Sequence, residues 1–253
     1  MVGEGVDNSI IQLDAGDDSA LRAYVARTGD SLQQTGVNIG DGGATPPQSI
    51  TIANMGFTHL NPTGSVFLVQ DANDVTFDNV GFIGASTEAD LTSNANGSIG
   101  VSFAGTNSLI CEQINFNNCF FTGLVWASYS NQQIKGATFT GSRFDTLYRG
   151  FEFGTSAVVN GGPTGIRIIN NLFDNIYAEG IVFGTFVSLN ATGQNIFYNV
   201  GNHFLGAGNP ATSIINIQNG NNISVSDMFA RSDSDAATVV RINVNNTPSI
   251  ATT

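Results

Sequence analysis

Apolar and polar residues alternate in short runs along this chain, and each run turns at Asn or Gly before closing on a phenylalanine. Three copies are plain: Ile50-Thr51-Ile52-Ala53-Asn54-Met55-Gly56-Phe57, Val75-Thr76-Phe77-Asp78-Asn79-Val80-Gly81-Phe82 and Ile114-Asn115-Phe116-Asn117-Asn118-Cys119-Phe120-Phe121. Looser copies end at Phe144, Phe173, Phe204 and Phe229, so the ring returns about every 29 residues. Two-residue alternation is the period of a strand, whose successive side chains point to opposite faces. A repeat of this length denotes a stacked solenoid, because one unit is too small to bury its own apolar face. Strands joined by turns, with almost no helical spacing between them, predict an all-β chain wound as a parallel β-helix.

From residue 48 each coil carries a second strand run, among them Val66-Phe67-Leu68-Val69, Leu124-Val125-Trp126, Phe151-Glu152-Phe153 and Ile181-Val182-Phe183. Alternation turns Phe151, Phe153, Ile181 and Phe183 inward and leaves Glu152 and Val182 outside. About seven coils at roughly 4.8 Å each would make a stack roughly 34 Å long, filled by columns of Phe and Ile. Asn54, Asn79, Asn118 and Asn170 hold one place in their coils, which predicts an asparagine ladder along a turn. Residues 1–47 fall outside the repeat and divide from 48–253 as an N-terminal cap and lead-in segment. Within it Asp17-Asp18-Ser19 precedes Ala20-Leu21-Arg22-Ala23-Tyr24-Val25-Ala26, the pattern of a short capped helix. Longer insertions at about 84–98, 104–113 and 154–164 predict side loops.

Composition narrows the partners. Charged residues are only 11% of the 253, and Asn, Gly, Ser and Thr supply the polarity instead, as suits tight turns. The net charge of −12 includes a single lysine, Lys135, and seven arginines. No basic stripe exists for phosphates, so nucleic acid is disfavoured as a partner. No apolar run is long enough to insert in a membrane. Cys111 and Cys119 give no disulfide framework, and Cys119 lies inside a repeat phrase as a packed thiol. His59 and His203 are far apart in the sequence, and no metal-ligand spacing appears.

The phrase apolar-x-apolar-x-Asn-x-x-Phe over residues 48–244 resembles the right-handed, single-stranded parallel β-helices of the pectate-lyase-like superfamily. Within that group it looks most like the tail-fibre and tailspike proteins of bacteriophages. The resemblance implies a virion protein that binds host surface polysaccharide or docks other virion proteins, as a homotrimer with outward residues such as Val182 along its axis. A secreted, extracellular polysaccharide hydrolase or lyase is the alternative it implies, and a purely structural surface or capsid solenoid is the third. The local signatures of the enzymes, such as Asn-Thr-Asp, Gly-His-Gly and Arg-Ile-Lys, are missing.

Asp145 and Asp174 each directly follow a repeat phenylalanine, so stacking should bring them about 5 Å apart. That spacing suits the carboxyl pair of a retaining glycosidase, or a calcium ion shared with neighbouring Asn oxygens. Arg149 and Glu179 each precede the glycine of a Gly-x-x-Phe-Gly frame and should pair across coils on an exposed face. Tyr148, Tyr177, Tyr129 and Trp126 belong to the same middle coils. Aromatic faces beside carboxylates and amides are what a neutral-sugar site requires.

Overall fold

A computed structural model of the chain describes residues 10–13, 35–39, 48–59, 64–70, 72–93, 97–104, 111–130, 134–154, 163–201, 213–231, 238–242 and 250–252. These residues form one strongly curled sheet in which every strand pairing is parallel, a β-solenoid-like arrangement around an aromatic core. Parallel pairing follows from the repeat. A run that returns to the same phase of the coil meets its predecessor pointing the same way, so like residues fall on like.

Phe57, Phe82, Phe121, Phe144, Phe173 and Phe197 make one such column. From Phe82 onward the rings lie nearly parallel, with centroids 4.5, 4.9, 4.7 and 4.6 Å apart. That step is the distance between neighbouring strands, so backbone register alone dictates the ring stack. A second column, Phe77, Phe116 and Phe139, stacks at 4.9 and 4.5 Å. Gly150 lets the coils close this tightly: a Cβ there would collide with the Gly180 carbonyl and lie 2.9 Å from the Phe173 ring.

The corners explain the asparagines. Eleven described non-glycine residues have positive φ, and eight of them are Asn or Asp, the side chains that tolerate a left-handed backbone. Asn54, Asn79, Asn118 and Asn170 are among them, yet the side-chain ladder they predict is only partly built. Asn79 Nδ2 donates to Asn54 Oδ1 at 2.9 Å. Farther along, Gly141 and Gly193 alternate with Asn118 and Asn170, and a Cβ at either glycine would press on an asparagine oxygen. The continuous ladder runs one residue later and is buried. There Ser142 Oγ accepts from Cys119 N, Asn171 Oδ1 from Ser142 N, and Asn195 Oδ1 from Asn171 N, at 2.9–3.0 Å. Asn171 and Asn195 donate in turn to the Phe139 and Ile168 carbonyls. A corner turns its backbone amides inward, and these side chains satisfy them.

Several expectations change. Phe229 is not a core residue: it pairs with Ile196, while Ala230 pairs with Phe197, so the ring points outward and is 53% exposed. The core column passes through Phe197, and Phe204 lies outside the described residues. Coil length is uneven, with 23 residues from Phe121 to Phe144 and 39 from Phe82 to Phe121. The longer coil carries the one described helix, Glu88–Ser93, opened by a capping box in which Thr87 and Asp90 each take the other's backbone amide. The expected helix at 20–26 lies outside the described residues. Residues before 48 join the same sheet, through Ile10–Leu13 against Gly56–His59 and Thr35–Ile39 against Ser65–Val69.

Glu152 and Val182 do alternate away from the core, but the face they occupy is covered. Val182 is 2% exposed within the single chain and every residue of Ser65–Gln70 is buried. Alternation fixes which face a side chain takes, and burial of that face depends on what packs over it.

Candidate functional site

The strands Arg143–Phe153 and Leu172–Ile176 run in register, setting Asp145 directly beside Asp174. Alternation keeps both off the core, with side chains 17% and 25% exposed. Arg143, two residues before Asp145 and therefore on the same face, reaches both. Its Nη2 is 2.7 Å from Asp145 Oδ2 and 3.7 Å from Asp174 Oδ2. The other oxygen of Asp145 accepts from Thr146 Oγ1 at 3.0 Å and Asn175 Nδ2 at 3.3 Å. The guanidinium thus stands where a calcium ion would bridge the pair. Among the described residues no three of His, Cys, Asp or Glu converge on a metal position.

A second cluster lies on the covered face. Arg149 Nε donates to Glu179 Oε2 at 2.8 Å across the coil, and Arg149 Nη1 to Glu152 Oε2 at 2.7 Å. Trp126 Nε1 donates to the same Glu152 oxygen at 2.6 Å. Both glutamates are buried, so the Arg149–Glu179 pair is an interior contact rather than the exposed one expected from sequence. Burial pulls the Arg149 guanidinium down, but the Glu179 and Glu152 carboxylates outweigh it and the pKa is raised. The arginine stays charged at any working pH. Its guanidinium carbon lies 5.1 Å from the Tyr148 ring centre, a cation–π contact. Trp126 and Tyr129 rings are 5.3 Å apart.

The structure therefore brings Trp126, Tyr129, Tyr148, Arg149 and Glu179 into one neighbourhood. Tyr177 and Glu179 are buried, which leaves Trp126, Tyr129 and Tyr148 as the partly exposed aromatic members. Sequence reasoning missed Glu152, the residue joining Trp126 to Arg149, and Arg143, which joins Asp145 to Asp174. The i,i+2 spacing of Arg143 and Asp145 was the available signal. It also missed Tyr198, which occupies the position after Asp174 in the same column.

No protein-family model, no curated protein and no solved structure matches this chain.

Proposed function

We propose that the chain is the right-handed, single-stranded β-helical part of a virion attachment protein of the tail-fibre or tailspike kind, one that contacts host surface glycans. The observation that carries the proposal is the in-register column of core phenylalanines from Phe57 to Phe197. It sets the outer residues of those rungs in straight lines, the geometry an extended polymer can follow. Sparse charge and an outer surface of amides, hydroxyls and a few aromatics agree with sugar recognition. The acidic balance disfavours a nucleic-acid partner on the same physical ground as before.

Such proteins act as homotrimers, so the purified chain should sediment as a trimer. A monomer at micromolar concentration counts against the reading. Val182 cannot supply the three-fold contact, since the chain itself already covers it.

The register of Asp145 with Asp174 favours a second reading, cleavage of a polysaccharide by that carboxyl pair. Its test is release of reducing ends from a panel of capsular polysaccharides. Release abolished by Asp145→Asn would establish it, and no release from any polymer removes it.

A further inference from the structure

We infer that the outer face around Asp174 binds an uncharged glycan laid along the solenoid axis, an inference that rests on the attachment reading above. The face belongs to the strands Phe120–Ser130, Arg143–Phe153, Leu172–Ile176, Asn195–Val200 and Met228–Arg231. Register sets two outward columns on it. One reads Phe120, Arg143, Leu172, Ile196, Phe229, and beside it runs Thr122, Asp145, Asp174, Tyr198, with Arg231 next in register. Phe120, Leu172, Ile196 and Tyr198 are partly exposed, and Phe229 is the one exposed large hydrophobic residue among those described. The matching outward column of the neighbouring strands reads Thr51, Thr76, Asn115, Thr138, Arg167, with no apolar member. One line of residues is thus apolar and aromatic beside a carboxylate edge, while the matching line on the next face is hydroxyl and amide with one arginine.

The chemistry of the strip selects among occupants. A second copy of the chain is a poor fit. Five rungs at ~4.8 Å give a strip about 24 Å tall and two side chains wide. That is a few hundred Å², well short of the roughly 800 Å² per partner of a stable protein interface. An acidic glycan is disfavoured as well. Arg143 is already held by Asp145 and Asp174, and the chain as a whole carries a net charge of −12. An uncharged sugar chain meets neither obstacle. Its apolar ring faces need exposed apolar side chains, which Phe229, Ile196 and Leu172 supply, and its hydroxyls need acceptors at the edge. Asp174, 3.7 Å from Arg143 Nη2, and Tyr198 lie along that edge. One pyranose unit is close in length to one rung, so successive sugars would meet successive rungs.

The experiment screens the full chain on an array of neutral and acidic glycans, then titrates the tightest neutral hit by calorimetry. Four proteins are compared: the unaltered chain, Phe229→Ala with Tyr198→Ala, Asp174→Asn, and Thr138→Ala on the polar face. The strip variants should weaken binding at least about tenfold with an unchanged melting temperature, and Thr138→Ala should bind as the unaltered chain does. Neutral-glycan binding that survives both strip variants overturns the inference and leaves the attachment reading standing. A preference for acidic glycans also overturns it. So does an oligomer that the strip variants dissociate, which would make the face a subunit contact. No glycan bound at all removes both this inference and the glycan-contact reading beneath it.

Discussion

Trp126 and Glu152 lie on successive rungs, and the indole Nε1 reaches the Glu152 carboxylate at 2.6 Å. The same oxygen takes Arg149 Nη1, and Arg149 turns its Nε to Glu179 on the rung beyond. Three rungs are thereby cross-linked by side chains on a face where water is largely excluded. Removing the arginine would leave two buried carboxylates without a counter-charge. Arg149→Leu should therefore destabilise the chain by about 3–5 kcal/mol in chemical denaturation. Trp126→Phe, which removes one hydrogen bond to a charged group, should cost about 1.5–3 kcal/mol.

Neighbouring asparagines should respond in opposite ways. Asn170 has φ 56 and is exposed, a conformation that glycine adopts freely, so Asn170→Gly should change stability by less than about 1 kcal/mol. Asn171 is buried and serves both Ser142 N and the Phe139 carbonyl. Asn171→Leu strands both groups, at about 1–3 kcal/mol each. Thermal melts of the two single variants make the comparison. Equal losses would mean that the corner backbone is not satisfied by the ladder.

Much of this fold is legible in the sequence because strand period and corner chemistry keep phase. Phe57, Phe82, Phe121 and Phe173 are found by the Asn three residues before them, and Phe144 by Gly141 in the same place. Phe229 misleads because a ring stands where the pattern wants one, yet the inward place on that rung belongs to the smaller Ala230. The doublet Asn170-Asn171 hides which member turns the corner and which faces in, since both are the same residue type. Glu152 illustrates a different limit. Its direction follows from alternation, but its burial depends on chain folded over the outer face, and strand period carries no information about that. Arg143 was recoverable from its spacing to Asp145 alone.

The corrected phase of the last rungs can be tested directly. Phe173 is fully buried, stacked on Phe144 at 4.7 Å and on Phe197 at 4.6 Å. Phe173→Ala opens a cavity in the middle of the ring column and should cost about 3–5 kcal/mol. Phe229→Ala removes a ring that faces solvent and should fall within about 0.5 kcal/mol of the unaltered chain. Denaturation midpoints of both variants check it. A large loss at Phe229 would return that ring to the core and remove it from the proposed glycan strip.

Cys119 supplies the pH dependence. Its thiol is buried, with the Phe77 and Asn117 carbonyls at 3.5 Å, and desolvation pushes its pKa up to about 12. In the unfolded chain the same thiol ionises near its ordinary value of 9.0. Below that pH both states hold the proton and the cysteine contributes no slope. Between about 9 and 12 only the unfolded chain gives up the proton, so the unfolded state is favoured increasingly and stability falls as pH rises. Thermal melts from pH 7 to 11 should show the decline beginning near pH 9, and Cys119→Ala should lessen it. The thiol should also resist alkylation at pH 8 until the chain is unfolded, because the reactive thiolate is absent from the native state. Rapid modification of the native protein would place Cys119 in solvent, and with it the corner where the buried ladder begins.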